Sequence, residues 1–149
     1  MFLDECLKVD LIEFIYAKKR DEALLSLVQN AYEKKILSED PMHFYKALLQ
    51  REKIISTGIG MGIAIPHAKL KEIKNFFLVI GVQKEKPLDW NSFDQIGVKL
   101  IFMIGGPEHK QNEYLQILSQ LTSCLKEEKI RKKLLKASSI QEVIDSLQN

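Results

Sequence analysis

Apolar positions fall along this chain first in a short β-branched run, then at helical spacing, and the switches between the two patterns lay out its elements. Residues 9 to 16, VDLIEFIY, are β-branched and apolar enough to predict a strand. The charged run Lys18 to Glu22 then opens a helical pattern in which Leu24, Leu25, Leu27, Val28, Ala31 and Tyr32 share one face. A second helix has a clear start. Asp40 can cap it, Pro41 suits its first position, and Phe44, Ala47 and Leu48 follow at helical intervals, to an end near Arg51 or Glu52.

Beyond that helix the texture changes to ISTGIGMGIAIPHAKL, where Gly58, Gly60 and Gly62 alternate before Ile63, Ala64 and Ile65. Glycines at alternate positions let a backbone take positive φ or approach another group closely, and Pro66 restricts Ile65 to extended geometry. His67 is therefore expected just past a short, stiffly constrained strand. Two buried strands are predicted at Phe76 to Val82 and Val98 to Ile104, separated by a polar loop with Pro87, Trp90 and Asn91 and stopped by Gly105, Gly106 and Pro107.

The last third is helical. Tyr114, Leu115, Ile117, Leu118, Leu121 and Leu125 form an apolar stripe, and Ser138 or Ser139 can cap a final helix carrying Ile140, Val143, Ile144 and Leu147. Strands in the middle with helices on both flanks predict an α/β fold: one layered domain over residues 1–149, its mixed β-sheet flanked by helices on both sides.

Composition narrows the function. Lys plus Arg exceed Asp plus Glu by 22 − 20 = +2, too little to imply a nucleic-acid partner. The densest basic stretch, Lys126 to Lys136, also holds Glu127 and Glu128 and spaces Ile130, Leu134 and Leu135 as a solvated helix would. No apolar run approaches the roughly 20 residues that cross a bilayer, and Asp4 and Glu5 stand where a signal peptide carries basic residues. A cytoplasmic protein without membrane insertion is expected. Cys6 and Cys124 belong to no C-x-x-C pair and read as free thiols.

The three histidines, His43, His67 and His109, lack the close spacing of a metal site, so no metal is expected. The glycines match neither G-x-x-x-x-G-K-[ST] nor G-x-G-x-x-G, since Ile63 stands where the third glycine would be, and no G-x-S-x-G elbow is present. What remains is His67 with Arg51, Glu52 and Thr57 upstream, brought near it if the glycine segment folds back. That set suits phosphoryl transfer. A neutral imidazole can attack phosphorus to give a labile phosphoramidate, and arginine, a threonine hydroxyl or glycine N–H groups can hold the phosphate. Each feature also has a structural reading: a hydrogen-bonded histidine, an arginine satisfying a helix C-terminus, glycines that break a strand. Ile59, Met61 and Ile63 are candidates for a docking patch, with a core role for Ile63.

The segment REKIISTGIGMGIAIPHA, from Arg51 to Ala68, resembles the active-site segment of the type 2 enzyme IIA proteins, the fructose/mannitol class of the bacterial sugar phosphotransferase system, including the nitrogen-regulatory IIA proteins. The run aligns without gaps, and the element order is similar along nearly the whole chain. The resemblance implies that His67 accepts phosphate from the carrier protein HPr and passes it to a IIB partner, usually onto a cysteine. It further implies that Arg51 lies close to the phosphohistidine and that no metal or organic cofactor takes part; Thr57, Gly58 and Gly60 are expected from the residues themselves to line the site, the glycines by close approach of backbone to phosphate.

One position departs from the family pattern. Many members carry a second histidine just before the apolar stripe of the next helix, where this chain has Tyr114 in NEYLQIL. Three readings stay open: Tyr114 donates a hydrogen bond to the phosphate or to His67, His109 reaches in from its loop, or the second group is dispensable. Two roles stay open as well. The resemblance fits a carrier in sugar uptake, and it fits a regulator in which phosphorylation of His67 alters contacts with target proteins.

Overall fold

Alternate residues of two adjacent strands point to opposite faces of a sheet, and that alternation divides the core of this protein in two. The computed structural model describes residues 7–38 and 40–148; Asp4, Glu5 and Cys6 lie outside the described residues. Six strands form one sheet: β1 (Ile12–Ile15), β2 (Gly58–Gly60), β3 (Ile63–Ala64), β4 (His67–Lys69), β5 (Phe77–Gln83) and β6 (Leu100–Gly106). Among the described residues five α-helices accompany them: α1 (Arg20–Glu33), α2 (Pro41–Ile54), α3 (Gln111–Leu125), α4 (Glu128–Lys136) and α5 (Ile140–Gln148).

The strand order is β1-β5-β6-β3-β2, with β4 also paired to β6. β1 runs parallel to β5, β5 antiparallel to β6, and β3 and β4 parallel to β6, so the sheet is mixed. On one face Leu78, Ile80, Leu100, Phe102 and Ile104 pack with Ile117, Leu121, Leu134 and Val143 from the three C-terminal helices. On the other, Phe77, Val79, Ile101 and Met103 meet Leu24, Leu27 and Val28 of α1 and Phe44 and Leu48 of α2. This is the predicted α/β layering, with helices on both sides.

Local chemistry explains most boundaries. The Asp40 carboxylate accepts a 3.0 Å hydrogen bond from the Met42 N–H, with Pro41 at the first helical position, as the sequence predicts. Ser139 Oγ accepts from the Glu142 N–H while Glu142 accepts from the Ser138 N–H, a reciprocal box that starts α5. Several ends shift. Residues Val9–Leu11 form a 3₁₀ turn, so the first strand is shorter than its apolar run. Helix α2 continues to Ile54, past Glu52. β6 includes Gly105 and Gly106, where a side chain would collide with Phe77 and Phe76. Tyr32, Leu115 and Leu135, placed on apolar stripes by spacing, are exposed at their edges. Cys124 is a free, half-buried thiol.

The fold carries one bent strand that positions everything below. β2 and β3 form a hairpin whose turn needs positive φ at Met61 (60°) and Gly62 (78°), with Gly60 also at 92°. β3 pairs with the start of β6 at Leu100 and Ile101, and β4 with its end at Ile104 to Gly106. Pro66 lies between them, its carbonyl accepting from the Ile104 N–H at 2.9 Å. His67 thus lies just past the short strand β3, as expected, and itself opens a further short strand, β4. Among the described residues, no helix is long and apolar enough to cross a membrane.

Candidate functional site

Side chains at alternate positions of a strand share a face, so His67 and Lys69 emerge on one side of β4 while Ala68 enters the α1–α2 core on the other. Arg51 approaches from the last turn of α2. Arg51, His67 and Lys69 line an open pocket together with Ala47, Gln50 and Glu108.

Two hydrogen bonds define the state of the His67 ring. Nδ1 lies 3.1 Å from the carbonyl oxygen of Ile65, which can only accept, so Nδ1 carries the proton. Nε2 accepts from Arg51 Nε at 3.3 Å, so its lone pair faces the guanidinium and the pocket. Both contacts demand the same neutral tautomer. Burial lowers the pKa of His67 below its ordinary 6.5; the Arg51 and Lys69 cations push the same way, against opposing pulls from the Ile65 bond and Glu52. A neutral, correctly oriented imidazole is the resting state near pH 7.

Arg51 serves two of its readings at once. While Nε meets His67, Nη1 donates at 2.8 Å to the Ile55 carbonyl just past the helix end, satisfying the C-terminus of α2 and fixing the guanidinium.

Tyr114, the first apolar residue of α3, packs its ring 5.3 Å from the His67 ring, centroid to centroid. The departure from the family pattern therefore sits at the site itself. Burial raises the pKa of its phenol, which stays protonated and can donate. His109 is exposed on the loop before α3, and the pocket wall there is Glu108; the structure does not bring His109 to His67.

Three other sequence candidates support the pocket without lining it. Thr57 is buried, its hydroxyl donating to Glu52 and accepting from Trp90 Nε1 at 3.0 Å, while its N–H donates to Glu52 at 3.1 Å. Trp90 Nε1 also donates to Glu52 at 3.1 Å. The hydroxyl is committed to this buried network, so it is not offered to a ligand of His67. Gly58 and Gly60 turn their open faces to the loop after β5: a Cβ on Gly58 would overlap Ser92 Oγ, and one on Gly60 would lie 3.0 Å from Asp94 Oδ2. Asp94 in turn accepts from the Met61 N–H at 2.9 Å, tying that loop to the hairpin tip. The glycines are explained by this close approach of protein to protein.

Sequence reasoning missed Lys69, the Ile65 carbonyl and the Trp90 tie. Lys69 stands two residues beyond His67, and only the strand β4 shows that the two share a face. Of the docking candidates, Ile63 is fully buried, Ile59 is partly buried against the core, and Met61 is exposed.

With this geometry established, comparison with known proteins is informative. The family described as "Phosphoenolpyruvate-dependent sugar phosphotransferase system, EIIA 2" matches residues 5–149. The fructose-specific EIIABC component of Bacillus subtilis (strain 168) is 36% identical over 145 residues, which is 97% of this chain but 23% of that relative. This chain thus spans less than a quarter of that curated relative. Nitrogen regulatory protein IIA-Ntr from Neisseria meningitidis superposes with a TM-score of 0.91 at 26% identity over 99% of both chains. The IIAMTL chain of the Escherichia coli complex of enzyme IIAMTL with phosphorylated enzyme IIBMTL has the same fold, with a TM-score of 0.81 at 20% identity over 95% of this chain and 96% of that one.

Proposed function

This chain belongs to the EIIA 2 family of the phosphoenolpyruvate-dependent sugar phosphotransferase system, and from that premise we propose that it is a phosphocarrier that takes a phosphoryl group onto Nε2 of His67. The observation that carries the proposal is the His67 ring itself, with Nδ1 held as a donor by the Ile65 carbonyl and the Nε2 lone pair facing Arg51.

The steps balance without a proton leaving the ring. The Nε2 lone pair attacks phosphorus, the bond from phosphorus to the donor breaks, and its electron pair leaves with the donor. The ring, still protonated at Nδ1, becomes cationic, and the Ile65 carbonyl stabilises it. When an acceptor nucleophile takes the phosphoryl group, the P–N electron pair returns to Nε2 and the starting tautomer is restored. Arg51 Nε, displaced from the lone pair, is then beside the phosphoryl oxygens as a charged donor. Loose phosphoryl-transfer transition states need mainly such positioning and charge stabilisation.

The proposed donor is phosphorylated HPr and the proposed acceptor a IIB protein, in the cytoplasm. The complex of IIAMTL with phosphorylated IIBMTL supports a IIB partner. A second reading is supported by the likeness to IIA-Ntr over 99% of both chains: His67 phosphorylation acts as a switch on binding to target proteins, with no sugar moved.

The test is incubation with enzyme I, HPr and phosphoenolpyruvate, followed by intact mass and acid-lability analysis. An acid-labile phosphate on the wild type and none on His67→Ala is expected. Equal phosphorylation of both proteins overturns the assignment of His67. Onward transfer to a IIB protein then distinguishes the carrier from the switch.

A further inference from the structure

We propose that Lys69 is a second cationic holder of the phosphoryl group on His67, placed beside the imidazole by the Gln111 amide and the face of the Tyr114 ring. The inference rests on the phosphocarrier reading above and adds a residue to it.

Four observations carry it. Lys69 leaves β4 on the same face as His67 and lines the same pocket with Arg51. Its ammonium folds back over the site: Nζ lies 4.4 Å from the centroid of the Tyr114 ring and donates to Gln111 Oε1. The same Tyr114 ring packs against His67 at 5.3 Å, so one aromatic side chain holds both the nucleophile and the cation. An ammonium has three donors, and with one bound to Gln111 and one turned to the Tyr114 ring, the third is available to a phosphoryl oxygen. Partial burial also lowers the pKa of Lys69.

The charge count favours such a partner. A phosphoryl group brings nearly two negative charges to a pocket whose wall already includes Glu108, with the buried Glu52 near enough to act on His67. Arg51 supplies one positive charge from α2 and Lys69 another from β4, so that two cations reach the pocket of His67 from different elements. Tyr114 in this arrangement is a positioning residue through its ring. Its hydroxyl is not required by the proposal.

The experiment uses two donors on the full chain: phosphorylated HPr, and inorganic phosphoramidate, which needs no docking surface and releases ammonia as its P–N bond breaks. Lys69→Met is expected to slow labelling of His67 by both donors, on the order of tenfold or more. Lys69→Arg, which keeps the charge, should restore most of the rate. In NMR titrations the His67 imidazole of Lys69→Met should titrate at higher pH than in the wild type, a shift that a merely structural lysine would not produce.

Labelling of Lys69→Met by phosphoramidate within twofold of the wild type overturns the proposal, and a defect seen with HPr alone does so too by making Lys69 a docking residue. If phosphoramidate labels wild-type His67 and HPr does not, the carrier reading fails while Lys69 is still judged by the chemical donor. If neither donor labels His67, both fall.

Discussion

His67 combines two requirements that oppose each other in water: it must be neutral to attack and must stand among cations to hold what it receives. The protein meets both by lowering the imidazole pKa through burial and through the Arg51 and Lys69 charges. Protonation at Nε2 removes the lone pair, so the rate of phosphorylation should fall as pH drops through a midpoint below 6.5. A pH–rate profile with a midpoint above that value would contradict the geometry. Stability follows the same sign. The unfolded chain takes up the proton before the folded one, so the unfolding free energy should decline as pH falls below 6.5. Denaturant titrations at several pH values should show that slope, and His67→Ala should lack it. Arg51→Ala removes a charged donor from the lone pair and from the Ile55 carbonyl together. Its transfer rate should drop on the order of a hundredfold in stopped-flow transfer assays, while the far-ultraviolet circular dichroism is retained.

At the scale of elements, the hairpin of β2 and β3 and the loop after β5 act as one unit. Thr57→Val takes away the hydroxyl that links Glu52 and Trp90 and leaves a buried carboxylate short of a donor. A loss of about 1–3 kcal/mol is expected by chemical denaturation. Gly58→Ala forces a Cβ against Ser92 and should cost about 1–3 kcal/mol, and Ser92→Gly on that background should recover part of it in a double-mutant cycle. These elements also mark where sequence reasoning reaches and where it stops. The cap at Asp40, the amphipathic helices and the two central strands were legible because each is written in neighbouring residues. The alternating glycines were legible as a demand for close approach, but what approaches is Ser92 and Asp94, more than thirty positions away, and only pairing in space reveals that. Lys69 shows the same limit from the other side. Its type and distance from His67 were plain, yet without the β4 register nothing said that both side chains share a face.

At the scale of the molecule, β6 is the girder of the fold. It pairs with β5 on one side and with β3 and then β4 on the other, and its side chains enter both cores. Phe102, fully buried at its centre, lies in the core under the C-terminal helices. Truncation by Phe102→Ala should cost about 3–5 kcal/mol in equilibrium unfolding. Since β4 hangs from the end of the same strand, that loss should also reduce transfer through His67. Beneath the site, the buried network brings together Glu52, whose neighbour Arg51 reaches the imidazole, and Trp90, the only tryptophan in the chain and just 1% exposed. The molecule therefore carries its own optical reporter under the chemistry. Ultraviolet light absorbed by this indole is emitted from a buried setting at shorter wavelength than from water, and any event that exposes the ring beneath the site will redden that emission, with no label attached.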